Sequence, residues 1–202
     1  MKLVFTGIQW CGKGTQARIL VEKYGFRLIE MWAEFRKIIS TGSDLWMRLK
    51  EIMDAGHQVG GDLGKEIMEK VLHEAQEENI VFDAFIRNER NKEIFDRLLP
   101  DYKVVFFNLS KEKSMQRLLG RMYDPQSQET FPSGVTHNPK TGIELIKRQD
   151  DNEQSILNRI HAFVDLTLPI VEIQKKEWRV IEINADQRVE DVAKEVQEKI
   201  EM

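Results

Sequence analysis

Lys2-Leu3-Val4-Phe5-Thr6-Gly7-Ile8-Gln9-Trp10-Cys11-Gly12-Lys13-Gly14-Thr15-Gln16 decides the reading of this chain. An apolar run, Leu3 to Phe5, leads into a glycine-rich stretch, a lysine and a hydroxyl, then a helical pattern from Gln16 to Lys23. Strand, loop and helix in that order make a bed for polyphosphate. Gly7, Gly12 and Gly14 let backbone N–H groups close on an anion. The following helix points its positive end at the same charge. Lys13 can reach the outer phosphates, and a hydroxyl near it faces phosphate or Mg²⁺. The usual pattern places that hydroxyl directly after the lysine; here Gly14 intervenes and Thr15 supplies it. Trp10 is the anomaly, an indole inside a phosphate loop.

The remaining chain fits an α/β enzyme. Its 202 residues are enough for one sizeable domain with insertions. Short β-rich runs (2–6, 27–29, 79–83, 103–109 and 179–183) alternate with helical patterns, which predicts a parallel sheet wrapped by helices. A long helical insert separates the second and third strands, with one helix expected from Ser43 to just before Gly56. Another is expected to start at Ser110 and carry Met115, Leu118, Leu119 and Met122 on one side. The segment from Tyr123 to Gly142 holds three of the five prolines and reads as neither helix nor strand. A final helix is expected over 189–200.

Composition excludes several classes. A net charge of −4 speaks against a general nucleic-acid binder. The four histidines are scattered, and Cys11 is the only cysteine, so neither a disulfide nor a cysteine zinc cluster is expected. No stretch is long and apolar enough to span a membrane, and a cytoplasmic protein is the default expectation.

Arginines and one aspartate supply the second signal. Arg117 and Arg121 lie four apart on one helix face. Arg148 and Arg159 are eleven apart, about 16 Å along one straight helix, so they meet one phosphate cluster only if the chain bends between them. Such a bend beside a long irregular insert suggests a hinged lid. Taken singly, each arginine reads better as a partner in surface salt bridges; as a set behind a phosphate loop, they read as phosphate ligands. Asp83 ends the third strand at the carboxyl edge, where it can hold Mg²⁺ directly or through water. Arg87 follows, placed for a second phosphate.

These motifs together resemble the adenylate kinase family of nucleoside monophosphate kinases, over nearly the whole chain. The resemblance rests on Gly12-Lys13-Gly14-Thr15-Gln16, Arg36, Ala55-Gly56 with Val59, Asp83-Ala84-Phe85-Ile86-Arg87, the pair Arg117 and Arg121, Thr141-Gly142-Ile143-Glu144-Leu145, Arg148-Gln149-Asp150-Asp151 and Arg159. It implies a P-loop kinase fold: a five-stranded parallel sheet flanked by helices, with monophosphate-binding and lid insertions. The implied core is 1–29, 60–121 and 159–202, with the monophosphate-binding insert at 30–59 and the lid at 122–158. The implied reaction is ATP + AMP = 2 ADP with Mg²⁺. ATP would sit on Gly7, Gly12, Lys13, Gly14, Thr15, Arg117 and Arg121. The monophosphate would sit on Met31, Arg36, His57, Val59, Arg87 and Asn91. Lys13, Arg121, Arg148 and Arg159 would stabilise the transferring group, and Asp83 would hold Mg²⁺ through water. ATP and AMP are then the partners, with neither nucleic acid nor membrane, and a monomer is the family default. The lid has no cysteines, so no zinc is expected.

The chain departs from the family at several points. Glu30-Met31-Trp32-Ala33 replaces Ser-Thr-Gly-Asp, and Asn91 stands where a glutamine reads adenine. Asparagine there resembles the pyrimidine monophosphate kinases, which leaves a UMP/CMP acceptor as an alternative; the long lid favours AMP. Trp10, Trp32, Trp46 and Trp178 all stand where the family has glycine. They read as glycine-to-tryptophan replacements, whether deliberate or from UGA codons that mean glycine. A tryptophan in a position needing φ > 0 predicts backbone strain and reduced activity in a chain that still folds; a folded nucleotide-binding protein with impaired catalysis is the further alternative.

Overall fold

The computed structural model describes residues 1–31, 33–35, 61–75, 79–127, 129–147 and 152–201. Five strands form one parallel sheet in the order β2-β3-β1-β4-β7. They are β1 (Lys2–Gly7), β2 (Arg27–Glu30), β3 (Ile80–Asp83), β4 (Lys103–Asn108) and β7 (Val180–Asn184). Both faces are covered, which is why the central strands are apolar without alternation. Leu3, Phe5, Val105 and Phe107 meet the side chains of helices α1 (Lys13–Tyr24), α4 (Lys111–Gly120), α5 (Glu153–Ala162) and α7 (Val189–Lys199). Val4, Phe82 and Val104 face α2 (Gly61–Glu74) and α3 (Glu89–Leu98). Helix α2 earns this place by spacing: Ile67, Met68, Val71 and Leu72 share one face and are all buried. No helix among the described residues is long and apolar enough to cross a membrane.

The strand ends agree with the sequence expectation to within a residue or so, and Ser110 caps α4 by accepting from the Lys113 N–H at 3.2 Å. Two expectations need correction. Helix α4 stops at Gly120, so Met122 does not continue its apolar side, and Leu119 is exposed. Met122 instead opens β5 (Met122–Tyr123), which pairs antiparallel with β6 (Thr130–Phe131). The segment read as irregular therefore has a small sheet, extended by the Tyr123–Ile146 and His137–Glu144 bridges. Asp124 organises it from within. This buried carboxylate accepts from the Asn138 side-chain amide at 2.6 Å and from the Gln126 and Ser127 N–H groups at 2.8 and 3.1 Å. Short strands held by one polar hub carry no two-residue alternation long enough to read.

The helix after this segment starts at Asn152, whose side chain caps it by accepting from the Ser155 N–H at 2.9 Å. Arg148 lies outside the described residues, as does the helix expected after Ser43. Helix α5 runs through a π turn (Phe163–Thr167) into α6 (Leu168–Lys176).

Candidate active site

Gly7 leaves β1 with φ 148, and a Cβ there would lie 2.6 Å from the Phe107 carbonyl oxygen and 2.8 Å from Cys11 Sγ. Only glycine fits between the two strands at the mouth of the loop. The chain then turns: the Cys11 N–H donates to the Ile8 carbonyl at 3.3 Å, and Gly12, at φ 96, starts α1. Gly14 and Thr15 lie in the first turn of that helix, with Thr15 exposed. Lys13 folds over the loop and donates its ammonium protons to the carbonyls of Gly7 (2.7 Å) and Ile8 (3.1 Å). Loop amides, helix end and ammonium therefore surround one concave spot at the carboxyl edge of the sheet.

Asp83 stands beside this spot because β3 pairs with β1, with Asp83 opposite Phe5. Burial pushes its carboxyl up, against the pull of Lys13, Arg87 and Arg18. Its Oδ1 is buried without a hydrogen-bond partner. Arg18, one turn and a half along α1 from Lys13, is a member of this charge cluster that sequence reasoning missed. Burial pushes the Arg87 guanidinium down, Asp83 raises it again, and Arg159 on α5 adds its own like-charge repulsion. Lys13, Arg87 and Arg159, chosen from separate stretches of sequence, are thus one electrostatic cluster in space.

The Arg87 main chain is fixed on both sides. Its N–H donates to Asn91 Oδ1 at 3.2 Å, and its carbonyl accepts from Thr167 Oγ1 at 2.9 Å. Its Nε also reaches the Ala84 carbonyl at 3.0 Å. Asn91, expected to read a base, spends its side-chain oxygen on this backbone.

The expected ATP-side arginines flank the loop. Arg117 donates to the Ala185 carbonyl at 3.4 Å, and the buried Arg121 lies over the Trp10 ring, 5.3 Å from its centre. Gln9 joins the loop to both neighbouring helices: its side chain donates to the Arg159 carbonyl at 3.1 Å, and its own carbonyl accepts from Ser114 Oγ at 2.6 Å. Neither contact carried a sequence signal, since lone polar residues have no period. Met31 is buried in the cluster around Phe82 and Phe85. Arg36, His57, Val59 and Arg148 lie outside the described residues.

The family model described as adenylate kinase matches residues 5–179, which include the loop, Asp83, Arg87, both flanking arginines and Arg159. The chain belongs to the adenylate kinase family. Curated adenylate kinases match along nearly their whole length. That of Chloroherpeton thalassium is 30% identical, covering 98% of this chain and 97% of the relative. That of Alkaliphilus oremlandii is 32% identical, covering 95% and 94%. That of Borrelia garinii is 27% identical, covering 97% and 96%. The protein is therefore a nucleotide-binding phosphotransferase of the adenylate kinase family, on a P-loop kinase fold.

Proposed function

We propose that this chain transfers the γ-phosphoryl of Mg·ATP reversibly to AMP, giving two ADP. The carrying observation is the convergence of Lys13, Arg87 and Arg159 on the loop edge beside Asp83. A phosphate oxygen of AMP attacks the γ-phosphorus as the bond to the β–γ bridging oxygen breaks. Little covalent work falls to the protein, so positive charge and exclusion of water supply the catalysis.

Gly7, Gly12, Lys13, Gly14 and Thr15 hold the ATP phosphates, with Arg117 along the nucleotide. Arg87 holds the AMP phosphate together with Arg36, while Met31, His57, Val59 and Asn91 line the acceptor site. Asn91 offers the base its amide N–H₂, its oxygen being held by Arg87. Lys13, Arg121, Arg148 and Arg159 neutralise the transferring group. Asp83 fits Mg²⁺ held through water: an orphaned carboxylate oxygen beside a phosphate bed is what an ordered metal-bound water satisfies. The ion supplies charge neutralisation on the β- and γ-phosphates.

By this reading 30–59 is the monophosphate-binding insert, 122–158 the lid, and 1–29, 60–121 and 159–202 the core of a cytoplasmic monomer. A coupled assay offering AMP, CMP, UMP and GMP separately tests the reading. The highest kcat/KM is expected for AMP; a higher value for UMP or CMP would reassign the acceptor, and no turnover with any of them would refute the function.

A further inference from the structure

Two of the four tryptophans lie among the described residues, and both have left-handed backbones, with φ 59 at Trp10 and φ 59 at Trp178. Both sit in turns with a defined glycine place. Trp10 is the third residue of the turn closed by the Cys11 N–H and the Ile8 carbonyl, where positive φ belongs to glycine. Trp178 follows the end of α6. Its N–H donates to the Lys175 carbonyl at 3.0 Å, and the next N–H, of Arg179, donates to the Gln174 carbonyl at 3.1 Å. That pair of bonds is the helix-ending motif whose left-handed residue is usually glycine. Helix α1 of this same chain ends on Gly25 at φ 68. Packing does not explain the indole at 178, which is 88% exposed. Among the described residues, the other two non-glycine residues at positive φ are Ala84, with the smallest side chain, and Glu201, next to the last residue. A bulky aromatic is among the least suited residues for this conformation.

We propose that positions 10 and 178 are glycine positions of this enzyme, and that the indole at 10 encumbers the phosphate bed. At position 10 the ring also holds Arg121 in a cation–π contact, and a triphosphate engaging that arginine has to break it.

The backbone claim is tested apart from catalysis by comparing Trp178→Gly with Trp178→Ala, which remove the same ring. The glycine variant is expected to melt about 2–4 °C higher, because only glycine is unstrained there; equal melting, or a higher value for alanine, overturns the assignment. At the loop, Trp10→Gly is expected to raise kcat/KM about tenfold over both the tryptophan chain and Trp10→Ala; no gain over either overturns it there. The melting comparison stands even if the acceptor proves not to be AMP.

A second proposal has its own observation. Thr167 closes the π turn, is 5% exposed, and donates to the Arg87 carbonyl across 80 positions of sequence. The wide turn resets the register of α6 relative to α5, and π turns gather at functional sites. We infer that Thr167 is a positioning residue for Arg87, which rests on the assignment of Arg87 to the AMP phosphate. Thr167→Val is expected to weaken AMP binding about 3–10-fold in calorimetry while ATP binding stays within about twofold, with Thr167→Ser restoring it. Equal weakening of both nucleotides, or unchanged AMP binding, overturns this. Arg87→Lys separates the layers: if it leaves AMP binding intact, the assignment of Arg87 is what fails.

Discussion

Lys13 rests on the carbonyls of Gly7 and Ile8, and a triphosphate offers its ammonium stronger, charged acceptors at the same spot. Lys13→Met is expected to lower kcat about 10²–10³-fold in steady-state assays, the usual loss when one transition-state donor is removed. Arg87 is half-buried and pulls on the Asp83 carboxyl together with Lys13 and Arg18. Arg87→Lys keeps the charge but loses the planar fork. It is expected to weaken AMP binding about tenfold with ATP binding unchanged, measured by calorimetry on each nucleotide alone.

The elements differ in what holds them. Helix α3 docks on the sheet through aromatic edges: Phe95 meets Phe82 at 5.2 Å, Phe85 at 5.9 Å and Tyr102 at 5.4 Å between ring centres. Phe95→Ala is expected to cost about 3–5 kcal/mol in denaturant unfolding, because a close-packed site leaves a cavity. The small antiparallel sheet after α4 depends instead on Asp124. The Asn138 amide, first, and the loop N–H groups hold its carboxyl down, to about 2 from an ordinary 3.8. A carboxyl lowered on folding stabilises the element above its unfolded value. That contribution is therefore full above pH about 4 and lost as pH falls toward 2. Amide protection in this segment, each rate taken relative to its intrinsic value at the same pH, is expected to fall over that range, and Asp124→Asn to show the lower protection already at pH 7.

For the whole molecule, the proposed function puts both nucleotides at one sheet edge, so a single ligand spanning both is expected to stabilise the elements around it. A bisubstrate dinucleotide at about 100 times its Kd contributes roughly 2.7 kcal/mol. At this chain length that corresponds to a rise of about 5–10 °C in melting temperature, measured by thermal unfolding with and without ligand. A rise of that size in Arg87→Lys as in the parent chain would show that the ligand does not use the acceptor site.

Local order was legible from local sequence. The run Leu3 to Phe5, the glycines and Lys13 predicted β1, the loop and α1, because strand burial, glycine freedom and helix-end charge act within a few residues. The capping of α4 by Ser110 was legible for the same reason. The two tryptophans were recognisable as misfits by position, but their left-handed φ is a property of turns closed by hydrogen bonds, which only the folded backbone displays. The sheet order β2-β3-β1-β4-β7, the gathering of Lys13, Arg87 and Arg159 around Asp83, and the grip of Thr167 on Arg87 were decided by tertiary structure alone. They join residues up to 80 or more positions apart, and pairwise contact at that separation leaves no period, cap or turn signal in the chain. Trp10 belongs to both levels: sequence placed it in a phosphate loop, and the fold set it at φ 59 beneath Arg121.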